Sequence, residues 1–249
     1  MDLVAGVAPT QWALIGLSGL LIGMNKAGLM GAAMASIPIM AGIFGAQASV
    51  GVVLPMLVTA DVVAVIYYRR HADWGIVLRL LPWTLVGVGL GVIVGDTIPE
   101  ESFRFLLAIV VLVGVALLAY KEIMHRDVQV PERWWIAAIL GVLAGFATMV
   151  GNAAGPITTL YLFSMGLSKN QFIGTGAWFF FIVNVLKIPL HVIFWKTITV
   201  DTLMVDLIAV PIIVIGGLVG LVLVKYIKER PYRVFVLVIT TIISIRLFF

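Results

Sequence analysis

Apolar runs of about twenty residues follow one another along the chain, separated by short polar breaks. About 20 such residues, at a rise of 1.5 Å each, cross the 30 Å hydrocarbon core of a bilayer. Inside that core every backbone N–H and C=O must be satisfied by the segment itself, so each run is a helix. The fold class expected is therefore an all-α polytopic membrane protein. The composition agrees: 62% of residues are hydrophobic and 11% charged, against about 25% charged in a soluble domain. Six runs read as full spans: 49–68, 75–95, 102–120, 171–194, 203–224 and 231–248.

Two regions, 11–43 and 134–166, do not fit this rhythm. Each is about 33 residues long, and one straight helix of that length would measure about 50 Å. Each carries Gly, Asn or Pro near its middle, in "GMNKAGLMG" and "MVGNAAGPIT". Two arms of about 14 residues, about 21 Å each, make a hairpin that breaks at depth and returns to its starting side. Loop charges favour the hairpins. With them, Arg69, Arg70, Arg79, Lys121, Arg126, Arg133, Lys169, Lys225, Lys228, Arg230 and Arg233 share one side. The other side carries Asp96, Glu100, Glu101, Arg104, Lys196 and Asp201. That asymmetry makes the basic side cytoplasmic and puts both termini in the periplasm or outside the cell. The net charge of +4 is then topological, and no nucleic-acid partner is expected.

The order hairpin, span, span, span occurs twice. "IGLSGLLIGMNKAGLMGAA" resembles "LGVLAGFATMVGNAAGPIT", "LPWTLVGVGLGVIV" resembles "VPIIVIGGLVGLVLV", and "PEESFRFLLAIVVLVGV" resembles "PYRVFVLVITTIISI". The halves, 1–124 and 125–249, start on opposite sides, so they form an inverted-topology repeat of the kind found in secondary transporters. Two hairpins entering from opposite sides bring their breaks together near mid-membrane. Backbone N–H groups at the start of each second arm favour an anion there. Lys26 adds a full charge, Asn25 and Asn152 add amides, and Gly23, Gly28, Gly151 and Gly155 allow close approach of a ligand or the facing hairpin. Pro156 suits the first turn of a second arm. The bland alternative is a pair of packing kinks with Lys26 snorkelling to an interface.

These stretches resemble the sulfite exporter TauE/SafE family, also called the toluene sulfonate uptake permease family. The likeness covers nearly the whole chain and rests on "GMNKAGLMGAAMASIP", "GFATMVGNAAGPITTLYL", "LPMLVTADVVAVIYYRRHADW" and "FIGTGAWFFFIVNVLKIPLHV". Asn25 stands where the similar branch has Ser, Ala27 where it has Gly, and Asn152 where it has His. The resemblance implies transport of sulfite, thiosulfate, sulfonates or other small organic anions. The candidate substrate-binding set is Asn25, Lys26, Gly28, Asn152, Ala153, Gly155 and Asn184.

Other polar residues inside spans are candidates by position. Asp61 is a coupling group for protons, a partner of Lys26 or Lys187, or an interfacial residue paired with a loop arginine. Asn184, Lys187 and His191 share one helix face at spacings of three and four. They form a cavity wall, or Lys187 and His191 approach the outer interface. Pro189 is expected to kink that helix. Trp178 to Phe181 read as packing and belt residues. "GLSG" at 16–19 with His191 has the letters of an intramembrane Ser–His protease, with Ser18 as nucleophile. That reading is weak in a chain with 25 glycines, and no enzyme is expected. No cofactor or metal is expected either: there is no Cys, H-E-x-x-H or P-loop. "MDLVAGVAPTQW" lacks the basic start of a cleaved signal peptide. The expected function is secondary active transport of a small anion across the bacterial inner membrane, with an anion channel or a non-transporting scaffold as the alternatives. Expected partners are that anion and the lipid bilayer, with a homodimer left open.

The topology is testable because the chain has no native cysteine. A single cysteine replacing Ala72 and another replacing Lys228 should react with a membrane-impermeant maleimide from the same, cytoplasmic side. Labelling from opposite faces would sink the paired-hairpin topology.

Overall fold

The computed structural model describes residues 6–29, 31–124 and 134–223, with residues 226, 238, 241 and 242 beyond them. The described residues form helices α1 (Pro9–Lys26), α2 (Ala32–Phe44), α3 (Ala46–Tyr68), α4 (Trp74–Thr97), α5 (Glu100–Met124), α6 (Trp134–Gly151), α7 (Gly155–Ser164), α8 (Lys169–Ile193) and α9 (Val200–Leu223). Among them, five stretches are long and apolar enough to cross a membrane: α3, α4, α6, α9 and Asn170–Ile193 of α8. The chain is a multi-pass membrane protein. All but residues 238, 241 and 242 of the expected span at 231–248 lie outside the described residues.

The molecule is apolar outside and polar within. Leu78, Ile93, Leu207 and Leu218 are more than half exposed, while Ser18, Asp61, Thr148, Asn184, Lys187 and His191 are buried. Such a surface needs lipid around it. Polar side chains are then confined to the bundle interior, where partners can satisfy them.

Both long regions are broken, but unevenly. The arms have 18 and 13 residues in the first region and 18 and 10 in the second, in place of two equal arms. Each first arm is thus about 27 Å long, close to a full crossing. The first break is a helix C-cap. Gly28 adopts φ 118°, its N–H donates to Asn25 O, and Leu29 N–H donates to Met24 O at 3.2 Å. This is the Schellman pattern, with glycine where a left-handed residue is needed. At the second break Asn152 takes φ 53°, a conformation Asn tolerates better than most residues. Ala153 N–H there reaches back to Ala147 O at 3.2 Å. Pro156 sits in the first turn of α7, where its missing N–H leaves no bond unmade.

Helix pairing follows the glycines. On α4, a Cβ at Gly87 would strike Val142 O of α6; on α6, one at Gly145 would strike Thr84 O of α4. On α1, a Cβ at Gly23 would strike Ile213 O of α9; on α9, one at Gly216 would strike Leu20 O of α1. Both pairs run parallel, since higher numbers on one helix meet higher numbers on its partner. Glycines therefore bring these backbones closer than any side chain allows, the usual means of packing helices in lipid. Gly23 serves this purpose and faces α9, whereas Gly151 makes room for the Leu107 side chain of α5. Helix α3 packs on α8 across the centre.

Gly145→Val and Gly23→Val should each lower the melting temperature in detergent, because forcing a side chain against backbone costs about 1–3 kcal/mol. Gly89→Ala meets nothing within 4 Å and should be neutral or slightly stabilising by helix propensity. Equal melting of all three variants would remove the close-packing account.

Candidate functional site

Between the two breaks lies a cavity of about 110 Å³. Its wall includes Asn25, Lys26, Gly28, Asn152, Ala153, Gly155 and Asn184, so all seven residues singled out from the sequence as substrate-binding stand around one space. Met34, Thr148, Pro156, Thr158 and Phe180 complete much of the rest. The first turns of α2 and α7 both border it, though the N–H groups of Ala32, Met34 and Thr158 there already donate to Leu29, Gly31 and Ala154 carbonyls.

Lys26 ends α1, and its side chain is 10% exposed. Its ammonium is 2.6 Å from Asp61 Oδ1 and 4.3 Å from the ring centre of Phe180, a cation–π distance. Asp61 is fully buried on α3 behind the wall. Its second oxygen accepts from Asn184 Nδ2 at 2.7 Å. Asp61 therefore pairs with Lys26 and not with a loop arginine. The carboxylate fixes the Asn184 amide, because the reverse orientation would set two acceptors together.

A second network supports the other break. Lys187 is fully buried on α8. Its ammonium donates to Thr148 O at 2.6 Å, to Thr148 Oγ1 at 3.2 Å and to Asn152 Oδ1 at 2.6 Å. Asn152 Nδ2 in turn donates to Val50 O of α3 at 3.0 Å. Both ends of the Asn152 amide are thus engaged by protein. Asn152 is a strut at the break, with one of its two amide N–H groups committed to Val50. Asn25 is half engaged: its Oδ1 accepts from Gly31 N–H at 2.8 Å, which closes the loop between α1 and α2.

Two polar atoms on the wall residues are left over. Thr158 Oγ1 and Asn184 Oδ1 are buried without a hydrogen-bond partner, and such groups call for a ligand or water. The arrangement offers one ammonium, two helix starts and the Thr158 hydroxyl in an otherwise apolar chamber, while Asn184 Oδ1 is an acceptor and suits a donor or water. It can hold a small anion. It holds no nucleophile with a base: Ser18 Oγ and His191 Nε2 each lack a partner, so the Ser–His dyad is not assembled. No group of three His, Cys, Asp or Glu that could bind a metal occurs among the described residues.

His191 is buried away from this wall. Its Nδ1 lies 2.8 Å from Thr197 Oγ1, and Trp195 stacks edge-on at 4.9 Å. Both Lys187 and His191 are buried inside the protein. Helix α8 runs on through Pro189 to Ile193. Of the aromatic run, Trp178 packs on Trp74 at 5.1 Å, whereas Phe180 belongs to the cavity. The sequence reading missed Phe180, Thr148 and Thr158 as wall residues. Their one legible signal was position: Thr148 is a turn before Asn152, and Phe180 is a turn before Asn184.

Replacing Asn152 tests the strut. Asn152→Gly keeps a left-handed backbone but strips Lys187 and Val50 of a partner. The melting temperature should fall by the equivalent of about 1.5–3 kcal/mol, typical of a lost hydrogen bond to a charged group. Asn152→Ala should fall further, since alanine pays for positive φ. A silent Asn152→Gly would remove the strut.

No curated protein and no solved structure matches the chain. The sulfite exporter TauE/SafE family model matches residues 15–247. An apolar bundle with two broken helices around a buried cationic cavity suits transport across a membrane. The chain belongs to the TauE/SafE sulfite exporter family of membrane transporters.

Proposed function

We propose that the protein is a secondary active transporter of a small anion in the bacterial inner membrane, working by alternating access between two inverted halves. The observation that carries this reading is the meeting of both helix breaks at one cavity with Lys26 on its wall. Family membership supports sulfite, a sulfonate, thiosulfate or a related organic acid as the cargo. Residues 1–124 and 125–249 are the two repeats, with both termini outside the cytoplasm. The helix partners support an exchange symmetry. The first arm of each half, α1 or α6, packs in parallel on the fourth helix of the other half, α9 or α4. The cavity wall continues along Leu162, Phe172 and Ile173 beside the α7–α8 turn, on the basic side of the protein. That supports a cytoplasm-facing state.

The Lys26–Asp61 pair supplies a coupling device. An anion entering the cavity competes with Asp61 for the ammonium. Protonation of Asp61 releases Lys26 to the anion, so anion and proton are taken up together. Deprotonation on the far side restores the internal pair and expels the anion. A ligand shifts such an equilibrium only by its differential affinity for the two states, and here Lys26 provides the difference.

Purified protein should be stabilised in a thermal-shift screen by at least one of sulfite, thiosulfate, sulfoacetate, taurine or a small carboxylate. Lys26→Met should abolish that stabilisation. On its own it strands a buried carboxylate, a loss of about 3–5 kcal/mol if the charge persists. Lys26→Met with Asp61→Asn should therefore fold better than Lys26→Met and still not bind. Lys26→Arg should bind more weakly than wild type, because a planar fork needs a different pocket from a compact ammonium. Wild-type affinity in the double variant would remove Lys26 from the site.

Asp61→Asn should still bind anion, and in liposomes its transport should lose dependence on pH. Unchanged pH dependence would leave Asp61 a structural partner alone. Liposome flux without a coupled proton would identify a channel.

A further inference from the structure

We infer that Asp206 is a proton-binding site separate from the anion chamber, and that its proton holds the outer end of the α1–α9 seam shut. Asp206 lies near the start of α9, about 9 Å along the helix from Val200. It is 6% exposed, and neither carboxylate oxygen has a hydrogen-bond partner. The hydroxyl one turn before it, Thr202 Oγ1, is spent on Thr199: it accepts from the N–H at 2.8 Å and donates to the carbonyl at 3.0 Å. No cation answers the acid either. Helix α9 packs on α1 and α3, and Met40 of α2 shares the apolar cluster around Val205. Among the described residues, the charged or titratable groups on these helices are Lys26 of α1 and Asp61, Tyr67 and Tyr68 of α3. Lys26, Tyr67 and Tyr68 stand beside Gly217 and Leu221, about 16 Å or more further along α9. Asp61 is bonded to Lys26 and Asn184. On α9 itself the other charge is Asp201, a second acid. A bare carboxylate here would cost far more than a bound proton, so the group is a carboxylic acid while the seam is closed.

Packing does not ask for an acid at this position. Pro82, Gly87 and Gly91 of α4 correspond in order and spacing to Pro211, Gly216 and Gly220 of α9. Gly87 and Gly91 face α6, as Gly216 and Gly220 face α1. In that register the counterpart of Asp206 is Val77, a buried core residue. The location of the acid gives its proton a consequence. In the alternating-access reading above, on which this step rests, α1 and α3 belong to one half and α9 to the other. Asp206 is then buried in the boundary between halves. Gly19 and Gly23 hold that boundary tight at Ile213, further in than Asp206. Opening its outer end brings Asp206 into outside water, where the acid gives its proton to solvent and remains as a hydrated carboxylate. Closing the seam needs the proton back. Acid outside therefore favours the closed, cytoplasm-facing state, and alkali outside favours opening.

Infrared spectra of full-length protein in nanodiscs, near neutral pH and without anion, test the bound proton. Wild type should show a carboxylic acid C=O band that is missing from Asp206→Asn and from Asp206→Val, the residue that the other half carries. Both variants should fold, since neither buries a charge. A spectrum unchanged by both substitutions overturns the site. The latch is read with a cysteine replacing Ala209, a buried residue one turn further in, in right-side-out vesicles of fixed internal pH. Labelling by an impermeant maleimide is taken relative to the same cysteine in the Asp206→Asn background, which cancels the titration of the thiol itself. The ratio should rise with external pH by up to about tenfold per unit, the limit for one linked proton. A flat ratio overturns the latch. A cysteine that stays unlabelled at every pH, in a protein that shows the infrared band, overturns the opening between halves and leaves the proton site standing.

Discussion

A helix cannot be broken inside hydrocarbon unless other groups take up the hydrogen bonds it gives away. This chain breaks two, and much of its interior serves to close those breaks. Gly28 turns the first with its own backbone pattern, and the Asn25 side chain ties the far end of the loop at Gly31. At the second break the closure comes from distant helices: Lys187 of α8 holds Asn152 and the end of α6, and Asn152 holds Val50 of α3. A buried lysine is costly, but here it meets three acceptors. The break, the strut and the lysine make sense only together.

The same closure creates the site. The two breaks leave a chamber between them, and helix starts, the Lys26 ammonium and the leftover polar atoms of Thr158 and Asn184 border it. Lys26 is shared between the chamber and Asp61, and this sharing distinguishes it from Lys187, whose donors are all committed. In the proposed cycle one ammonium is exchanged between an internal partner and a cargo, and the other stays fixed. Moving parts and fixed parts are thus set by hydrogen-bond count as well as by helix packing.

Close helix contacts hold this arrangement without a hydrophobic driving force between helices. The glycine faces of α4 with α6 and of α1 with α9 bring backbones together where lipid would otherwise compete equally well for larger side chains. Each first arm is thereby anchored along its length, and only its end meets the chamber. Gly23, close to the first break, belongs to this anchoring.

The sequence by itself determined the membrane class, both breaks and the residues around them. Apolar run length, glycine at a left-handed position and a charge amid apolar residues are local signals, and the bilayer penalises exceptions to them. It also left Asp61, Asn184 and Lys187 as polar residues needing partners. Only the tertiary structure decided which partners. Asp61 had Lys26, Lys187 and a loop arginine within reach along the chain, and Asn152, read as a ligand donor, is also held by Lys187 and Val50. Pairing across α1, α3, α6 and α8 depends on how deep each helix sits and how it is rotated. Those quantities come from packing many glycine and side-chain contacts at once, which no single stretch of sequence encodes.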